Sequence, residues 1–397
     1  MSYITGPCLI KRGGITIYTE SGLKDSLKTK LGDVKSDLHG GKIDQYMISR
    51  MVTLSAKPVD AIANLAAYFG LGLADIGSSI FTAEIVPLSL ASVAIAVGGS
   101  ATVTTTEPHN LGPVGSALGV TLAGVAATVP SVNGAQVATI TSETAFTIPV
   151  NVTTAATVNT GTCTPVSVPL QIVSKNEQAI YTYERSGILK APGVHLGASK
   201  GFFAGDMQWA VLGSVTKQPT DEDYWRSAIA AAFADSVFDE TKIRRYRYTA
   251  AYGNDAAFAA ISAQGGFDIA IDYTTEEIPD DNVGVGDVIL TALAASVKFT
   301  PSNLTTAQVD ALVNLQGASA LQPGDSVAGD GGKALVISGS DAATGFTATL
   351  NGVGFHDDEL NYAAGKLRFG EVAGISKRTW TGGAPNSLFT FEITGND

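Results

Sequence analysis

The sequence predicts a mainly β protein with a few helices: two similar β-domains in tandem, the first interrupted by a small inserted β-barrel or sandwich. Three observations predict it. Residues 85–174 carry only two charged side chains, Glu107 and Glu143, inside a chain that is otherwise ordinarily charged. A strand followed by a helix recurs on both sides of that stretch. Short alternating segments bounded by Gly, Pro and Asn fill most of the remainder.

The elements follow in order. Residues 7–19 read as a strand, a turn at Gly13-Gly14 and a second strand. Residues 20–44 hold five Lys (24, 28, 30, 35, 42) and five acidic residues (20, 25, 33, 37, 44) with few large apolar ones. That composition reads as a solvated loop or as an arm ordered against a neighbouring subunit; about 25 residues is long for an idle connection. Met47 to Ser55 alternates like a strand. Pro58 is expected to open a helix with Ile62, Leu65 and Phe69 on one face and Gly70 as its stop. Downstream, Ala295 to Thr300 reads as a strand. A helix follows, capped by Thr305 and Gln308, with Val309, Leu312 and Val313 inward and Gly317 as its stop.

A second match lies in the same order. Leu170 to Ser174, Ala179 to Tyr183 and Gly197 to Asp206 correspond to Leu335 to Ser338, Phe346 to Leu350 and Ala364 to Glu371, with Lys200 aligned to Lys366 and Gly205-Asp206 to Gly370-Glu371. Gly70 to Lys200 spans 130 positions and Gly317 to Lys366 spans 49; the excess of 81 is close to the length of the low-charge stretch. The duplication therefore places a first, discontinuous domain at 1–84 and 169–240, an inserted module at 85–168, and a second domain at 241–397. Within the module, Ala101 to Thr106, a strand from Val120, Gln136 to Ser142 and Ala145 to Val150 form a meander, with turns at Pro108 to Gly112 and Val132-Asn-Gly134. Thr220 to Val237 reads as a helix bridging the two copies, its start favoured by Asp221, Glu222 and Asp223, with Trp225, Ile229 and Phe233 along one face.

Composition narrows the function. The chain is 45% hydrophobic, 16% charged and 8% aromatic with 44 Gly, which suits β-proteins that bury surface against copies of themselves. A net charge of −12 argues against tight phosphate binding and fits a surface that repels nucleic acid. The opening residues carry no secretory signature, so Cys8 and Cys163 are expected as separate thiols and the chain as made in a cytoplasm. No 18-residue apolar run spans a membrane.

The search for chemistry finds no acid, base or nucleophile set. His39, His109, His195 and His356 lack metal-pair spacing. His356-Asp-Asp-Glu359 reads as an acidic loop before a strand at Leu360. Glu276, Glu277, Asp280, Asp281 and Asp287 read as a solvated acidic loop without calcium-loop spacing. Gly324-Asp-Ser326 lacks triad partners, Gly329 to Lys333 lacks phosphate-loop spacing, and Cys163 has no nearby His. No enzyme activity, cofactor or metal is expected. In the one basic, aromatic run, Lys242 to Tyr248, Arg245 and Arg247 share one strand face, while Arg244, Tyr246 and Tyr248 share the other. Nucleic acid or the acidic loops of an adjacent subunit are the candidate partners, the second favoured by the overall charge.

Several segments resemble the tail tube (major tail) proteins of long-tailed bacteriophages. They are Gly6-Pro-Cys-Leu-Ile-Lys-Arg-Gly-Gly-Ile-Thr-Ile-Tyr18 with the charged segment after it, Val297 to Ser302 through Leu315-Gln-Gly317, and Lys366 to Glu371 through Phe389 to Ile393. The module, with Glu107 to Leu111, Val132-Asn-Gly134 and Thr144 to Pro149, is similar to small β-barrels inserted in phage tail proteins and to a domain of ubiquitin-activating enzymes. The resemblance implies tail-tube-like sandwich or barrel-segment domains whose strands join between subunits around a lumen. It implies a virion tail assembled in the host cytoplasm, other tail proteins as partners, and DNA passing without specific binding. Two such domains per chain imply a trimeric, pseudo-hexameric ring in place of a hexamer, with rings stacking. Lys24, Lys28, Lys30, Asp33, Lys35 and Asp37 are then expected to reach the next ring, and Arg244, Arg245 and Arg247 to touch the next subunit. Alternatives are another virion part (a capsid decoration or baseplate-proximal ring) and a cell-surface or glycan-binding β-protein.

Overall fold

The computed structural model describes residues 8–394 apart from 13–14, 37–40, 60–65, 70–78, 82–86, 96–99, 107–108, 110, 112–114, 116, 127–130, 143, 151–155, 159, 166, 199, 224, 227–245, 281–283, 314–332, 341–343, 358–359, 364–365, 378–379, 382–383 and 386. The chain opens with β1 (Cys8–Arg12), β2 (Ile15–Ile17), β3 (Thr19–Ser36), β4 (Gly41–Pro58) and helix α1 (Ala66–Phe69). Seven strands follow: β5 (Leu88–Ile95), β6 (Ala101–Thr105), β7 (Ala117–Ala123), β8 (Gly134–Ile140), β9 (Ala145–Ile148), β10 (Ala156–Val158) and β11 (Thr162–Pro165). Next come β12 (Leu170–Ser174), β13 (Ala179–Lys190), β14 (Gly193–Leu196), β15 (Phe203–Ala204) and β16 (Met207–Pro219). The last section holds β17 (Thr249–Tyr252), β18 (Ile261–Asp280), β19 (Gly284–Pro301), helix α2 (Thr306–Val313), β20 (Lys333–Ser340) and β21 (Gly345–Asp357). It ends with β22 (Leu360–Ala363), β23 (Lys366–Phe369), β24 (Val372–Ser376), β25 (Trp380–Thr381), β26 (Ala384–Pro385) and β27 (Phe389–Thr394). The protein is mainly β, as its sequence predicts.

Two large sheets share one circular order. The first runs β2-β1-β12-β13-β16-β4-β3, with β2 and β3 successive pieces of one strand path broken at Tyr18. The other runs β18-β17-β20-β21-β24-β19 and closes by β19 pairing back on β18. Both are antiparallel throughout. Ile10 lies between Ile17 and Ile172, and Ala250 lies between Ile261 and Ile337; all six are buried. Leu170 faces Tyr183 as Leu335 faces Leu350, so the second sequence match falls on equivalent strands.

The irregularities coincide as well. A register shift separates Ile188 and Lys190 against Trp209 and Gln208, and another separates Phe355 and Asp357 against Gly374 and Ala373. Bulges occur near the start of both long hairpins, at Gly22 and at Gly265-Gly266. Matching bulges are a specific feature, because each adds one or two residues at a defined place and re-aims the strand. Four-strand rows can therefore be read across: Lys190–Gln208–Ser55–Lys24 in one sheet and Asp357–Ala373–Lys298–Asp268 in the other.

The low-charge stretch forms its own closed barrel, β5-β11-β7-β8-β9-β6 returning to β5, with β10 beside β5. Its alternation is literal: Ala101, Val103 and Thr105 point inward and Thr102 outward. Its core of Val93, Val103, Val120, Leu122, Phe146, Ile148 and Cys163 is separate from the core shared by the two sheets. Asn133 marks the entry to β8, accepting from the Val125 N–H at 3.0 Å and donating to the Val125 carbonyl at 2.9 Å. The connection is thus a loop pinned by an asparagine rather than a two-residue turn.

Other expectations shift. Among the described residues the charged segment 20–44 is strand rather than loop; it lies in β3 and β4, paired antiparallel and 18 residues each. Pro58 closes β4 instead of opening a helix, a place where a residue without an N–H costs least. Of the first predicted helix only α1 is described; Ile62, Leu65 and Gly70 lie outside the described residues. The second helix keeps its expected cap: the Thr305 N–H donates to Gln308 Oε1 at 2.9 Å and the Gln308 N–H to Thr305 Oγ1 at 3.3 Å. Residues 222–223 and 225–226 are helical and Trp225 is buried against Leu9, Tyr18, Val173 and Ile180; residues 227–245 lie outside the described residues. No helix among the described residues is long and apolar enough to cross a membrane.

Candidate assembly surfaces

The first surface is the join between the two sheets inside one chain. β13 ends at Lys190, and the chain turns into β14, which leaves its own sheet and pairs antiparallel with β18: Val194 with Ile269, His195 with Asp268, Leu196 with Phe267. The same side of β18 already holds β17 at Ile261 and Ser262. Val194 and Leu196 are fully buried, and His195 Nδ1 lies 2.6 Å from Asp268 Oδ1. The bulge at Gly265-Gly266 makes room for this strand: a Cβ on Gly266 would lie 2.5 Å from the Leu196 carbonyl oxygen. Just beyond β14, Phe202 stands edge-on to Phe346 and Phe203 stacks on Tyr68 of α1, with ring centroids 5.1 and 4.9 Å apart. These aromatic pairs fix the angle between the sheets.

A second clasp lies nearby. Ser79 bridges to Ile289 of β19, the Ile80 N–H donates to the Val288 carbonyl at 2.9 Å, and Ser79 Oγ donates to Asp287 at 2.5 Å. Ile80 is wholly buried over Gly187, where any Cβ would collide at 2.6 Å.

The second surface is the pair of long hairpins. At about 3.3 Å per residue, 18 residues extend roughly 60 Å, well beyond a typical strand. Their outer parts leave Leu27, Leu31, Met47 and Ile278 exposed, four of the seven exposed large apolar residues among those described. Lys24, Lys28, Lys30 and Asp33 lie exposed on β3, and Gln45 donates to Asp33 at 3.0 Å. Lys35 sits at the end of β3, and Asp37 lies outside the described residues. Lys28, Thr29 and Lys30 line an open cleft whose other wall is Thr275, Glu276 and Glu277 of β18. The acidic cluster is therefore strand, not loop: Glu276, Glu277 and Asp280 are on β18 and Asp287 on β19, with Asp281 outside the described residues.

Of the basic run, Arg247 is exposed between buried Tyr246 and Tyr248, so the alternation is present although β17 begins only at Thr249. Arg244 and Arg245 lie outside the described residues.

The histidines that are described have structural surroundings. In the barrel, the Leu111 N–H donates to His109 Nδ1 at 3.1 Å, leaving Nε2 to donate to the Ala145 carbonyl. His356 is on β21. Among the described residues no group of three or more His, Cys, Asp or Glu side chains is placed to hold a metal ion. Neither Cys8 nor Cys163 forms a disulfide. Burial pushes the Cys163 thiol up to about 12 and raises the half-buried Cys8 as well, against a lowering hydrogen bond from Ser174. A thiolate is the reactive form, so both should react slowly. In native protein at pH 8, a disulfide reagent is expected to titrate Cys8 alone, faster as pH rises, and Cys163 only after unfolding. Two thiols released at once from the folded chain would contradict this.

Sequence reasoning missed β14 and the Ser79–Ile80 clasp. The only signal was the pair of buried-type residues Val194 and Leu196 flanking a histidine. Compared with known proteins, the chain matches no family model and no curated sequence.

Proposed function

We propose that the chain is a ring-forming structural subunit, a tail tube protein of a long-tailed phage virion. Residues 1–84 with 169–240 and residues 241–397 are duplicated tube domains. Three chains close a ring of six such domains, and rings stack into a hollow tube. The join of β14 to β18 carries the reading. It sets two barrels of identical strand order side by side through an edge strand, which is the contact a ring needs at every step. Repeating that contact covers edges that would otherwise pair without control. The apolar residues on the outer halves of the hairpins supply surface for stacking. The net charge of −12 keeps phosphate from adhering, so DNA slides through the bore. The barrel of residues 85–168 stands outside, where it does not obstruct the lumen. The chain acts through shape, without catalysis.

Electron microscopy of the purified protein tests this. Hollow tubes, or rings whose mass equals three chains, are the expected result. Globular monomers at every concentration, or a turnover activity in substrate screens, would overturn it. Closed rings that never stack would favour a decoration or baseplate-proximal role.

A further inference from the structure

The edge of β3 is the unfilled counterpart of the edge of β18. Ser55 and Lys298 occupy the same place in the two rows, and they pair onward with Lys24 and Asp268. Lys24 is therefore the equivalent of Asp268, Asp25 of Ile269 and Leu27 of Ile271. Asp268 is covered by His195, whereas the outer side of Leu23 to Ser26 pairs with no strand among the described residues. Leu27 is 37% exposed where Ile271 is 3% exposed. A Cβ on Gly22, in the bulge of β3, would meet nothing within 4 Å, whereas the bulge glycine Gly266 is closed over by Leu196 and Gly197.

The chain also contains an unused copy of β14. β14 starts three residues after Lys190, and β22 starts three residues after the equivalent Asp357; both are four residues long. Gly193 pairs with Ala204, and Leu360 with Phe369. Gly205-Asp206 follows the first hairpin and Gly370-Glu371 the second. The hairpin β14–β15 lies on β18, while β22 and β23 pair only with each other among the described residues.

We infer that β22 of one chain adds to the free edge of β3 in the next, antiparallel, with Asn361 opposite Asp25, Tyr362 opposite Lys24 and Ala363 opposite Leu23. The inference rests on the ring reading and specifies its contact between chains. The charges fit. Inside the chain, a strand preceded by Lys190 docks on one bearing Asp268 and Asp272. Between chains, a strand preceded by Asp357, Asp358 and Glu359 docks on one bearing Lys24 and Lys28. Both signs are reversed together, so each contact is attractive, and β14 of one chain meeting β3 of another would bring Lys190 beside Lys28. Strand addition of this kind takes its affinity from main-chain hydrogen bonds and its register from side chains.

The test is a disulfide placed across the contact, in a Cys8→Ser background. Facing residues on paired antiparallel strands are within disulfide reach, and a shift of two residues moves the Cα by about 7 Å, out of reach. Lys24→Cys with Tyr362→Cys should link chains under mild oxidation, in a ladder ending at three. Ser26→Cys with Tyr362→Cys should link at least tenfold less. Asp25→Cys with Asn361→Cys is the second in-register pair, used if Tyr362→Cys impairs folding. Rings of three chains with neither in-register link, with equal linking at Ser26, or with the disulfide closing inside one chain would overturn this contact and leave the ring reading standing. A chain that remains monomeric by mass would overturn both.

Discussion

Gly266→Val is expected to lower the unfolding free energy by about 3 kcal/mol or more and to release β14 from β18. Gly266 has φ near +107°, a conformation that a β-branched residue scarcely adopts. Its Cβ would lie 2.5 Å from the Leu196 carbonyl oxygen and 2.9 Å from the Gly197 Cα, both backbone atoms that cannot swing aside. Relief requires β14 to lift away, exposing Val194, Leu196 and Phe202, which are at most 1% exposed. Gly265→Ala is the control. It has φ near +89° and open space around the added methyl, so only the backbone penalty applies, about 1 kcal/mol. The denaturant midpoint reads the stability, and hydrogen exchange at the Val194 and Leu196 amides, which face β18 because the His195 N–H is turned to the Phe202 carbonyl, reads the release. Equal losses in the two variants, or unchanged protection of Val194 and Leu196, would show that this join is not what holds the two sheets together.

Excising the inserted barrel is expected to remove one thermal transition and leave the other in place. Two separate apolar cores predict two cooperative units, because little packing couples them. The barrel's entry and exit lie side by side: Leu88 of β5 pairs with Cys163 of β11, a Cα separation of about 5 Å. Replacing residues 88–165 with a four-residue Gly-Ser linker therefore bridges the gap without strain. Calorimetry of the full chain should resolve two transitions, and the excised chain should keep one at an unchanged temperature. It should also form the same oligomer. A shortened chain that fails to fold would place the barrel within the framework.

What the sequence disclosed follows from where burial is one-sided. β12, β13, β20 and β21 cover a shared core on one face, so Leu170, Leu335 and the segments after them repeat visibly. Thr305 and Gln308 announced α2 because a capping box is local chemistry. In the hairpin β3–β4 only Met47 to Ser55, inside β4, gave such a signal. Its outer part covers no core in the single chain, so Lys28, Lys30 and Asp33 are exposed beside Leu31 and the two-residue period disappears. The same holds for Glu276 and Glu277 on β18. Pro58 misled because a proline serves the end of a strand as well as the start of a helix. The candidate surfaces were legible only as charge. Lys24 was singled out, but its equivalence to Asp268 depends on bulges that no composition records. β14 stayed hidden because four residues set no period and their partner lies far along the chain, His195 and Asp268 being 73 positions apart.

By the proposed function, this chain is one-third of a closed ring. Cryo-electron microscopy of the self-assembled protein tests it most directly. The account predicts three chains around an open bore, with six barrels at nearly equal angular spacing and β22 lying along β3 of the neighbouring chain. A compact monomer, or a closed oligomer without a bore in which β3 is capped by its own chain, would contradict it.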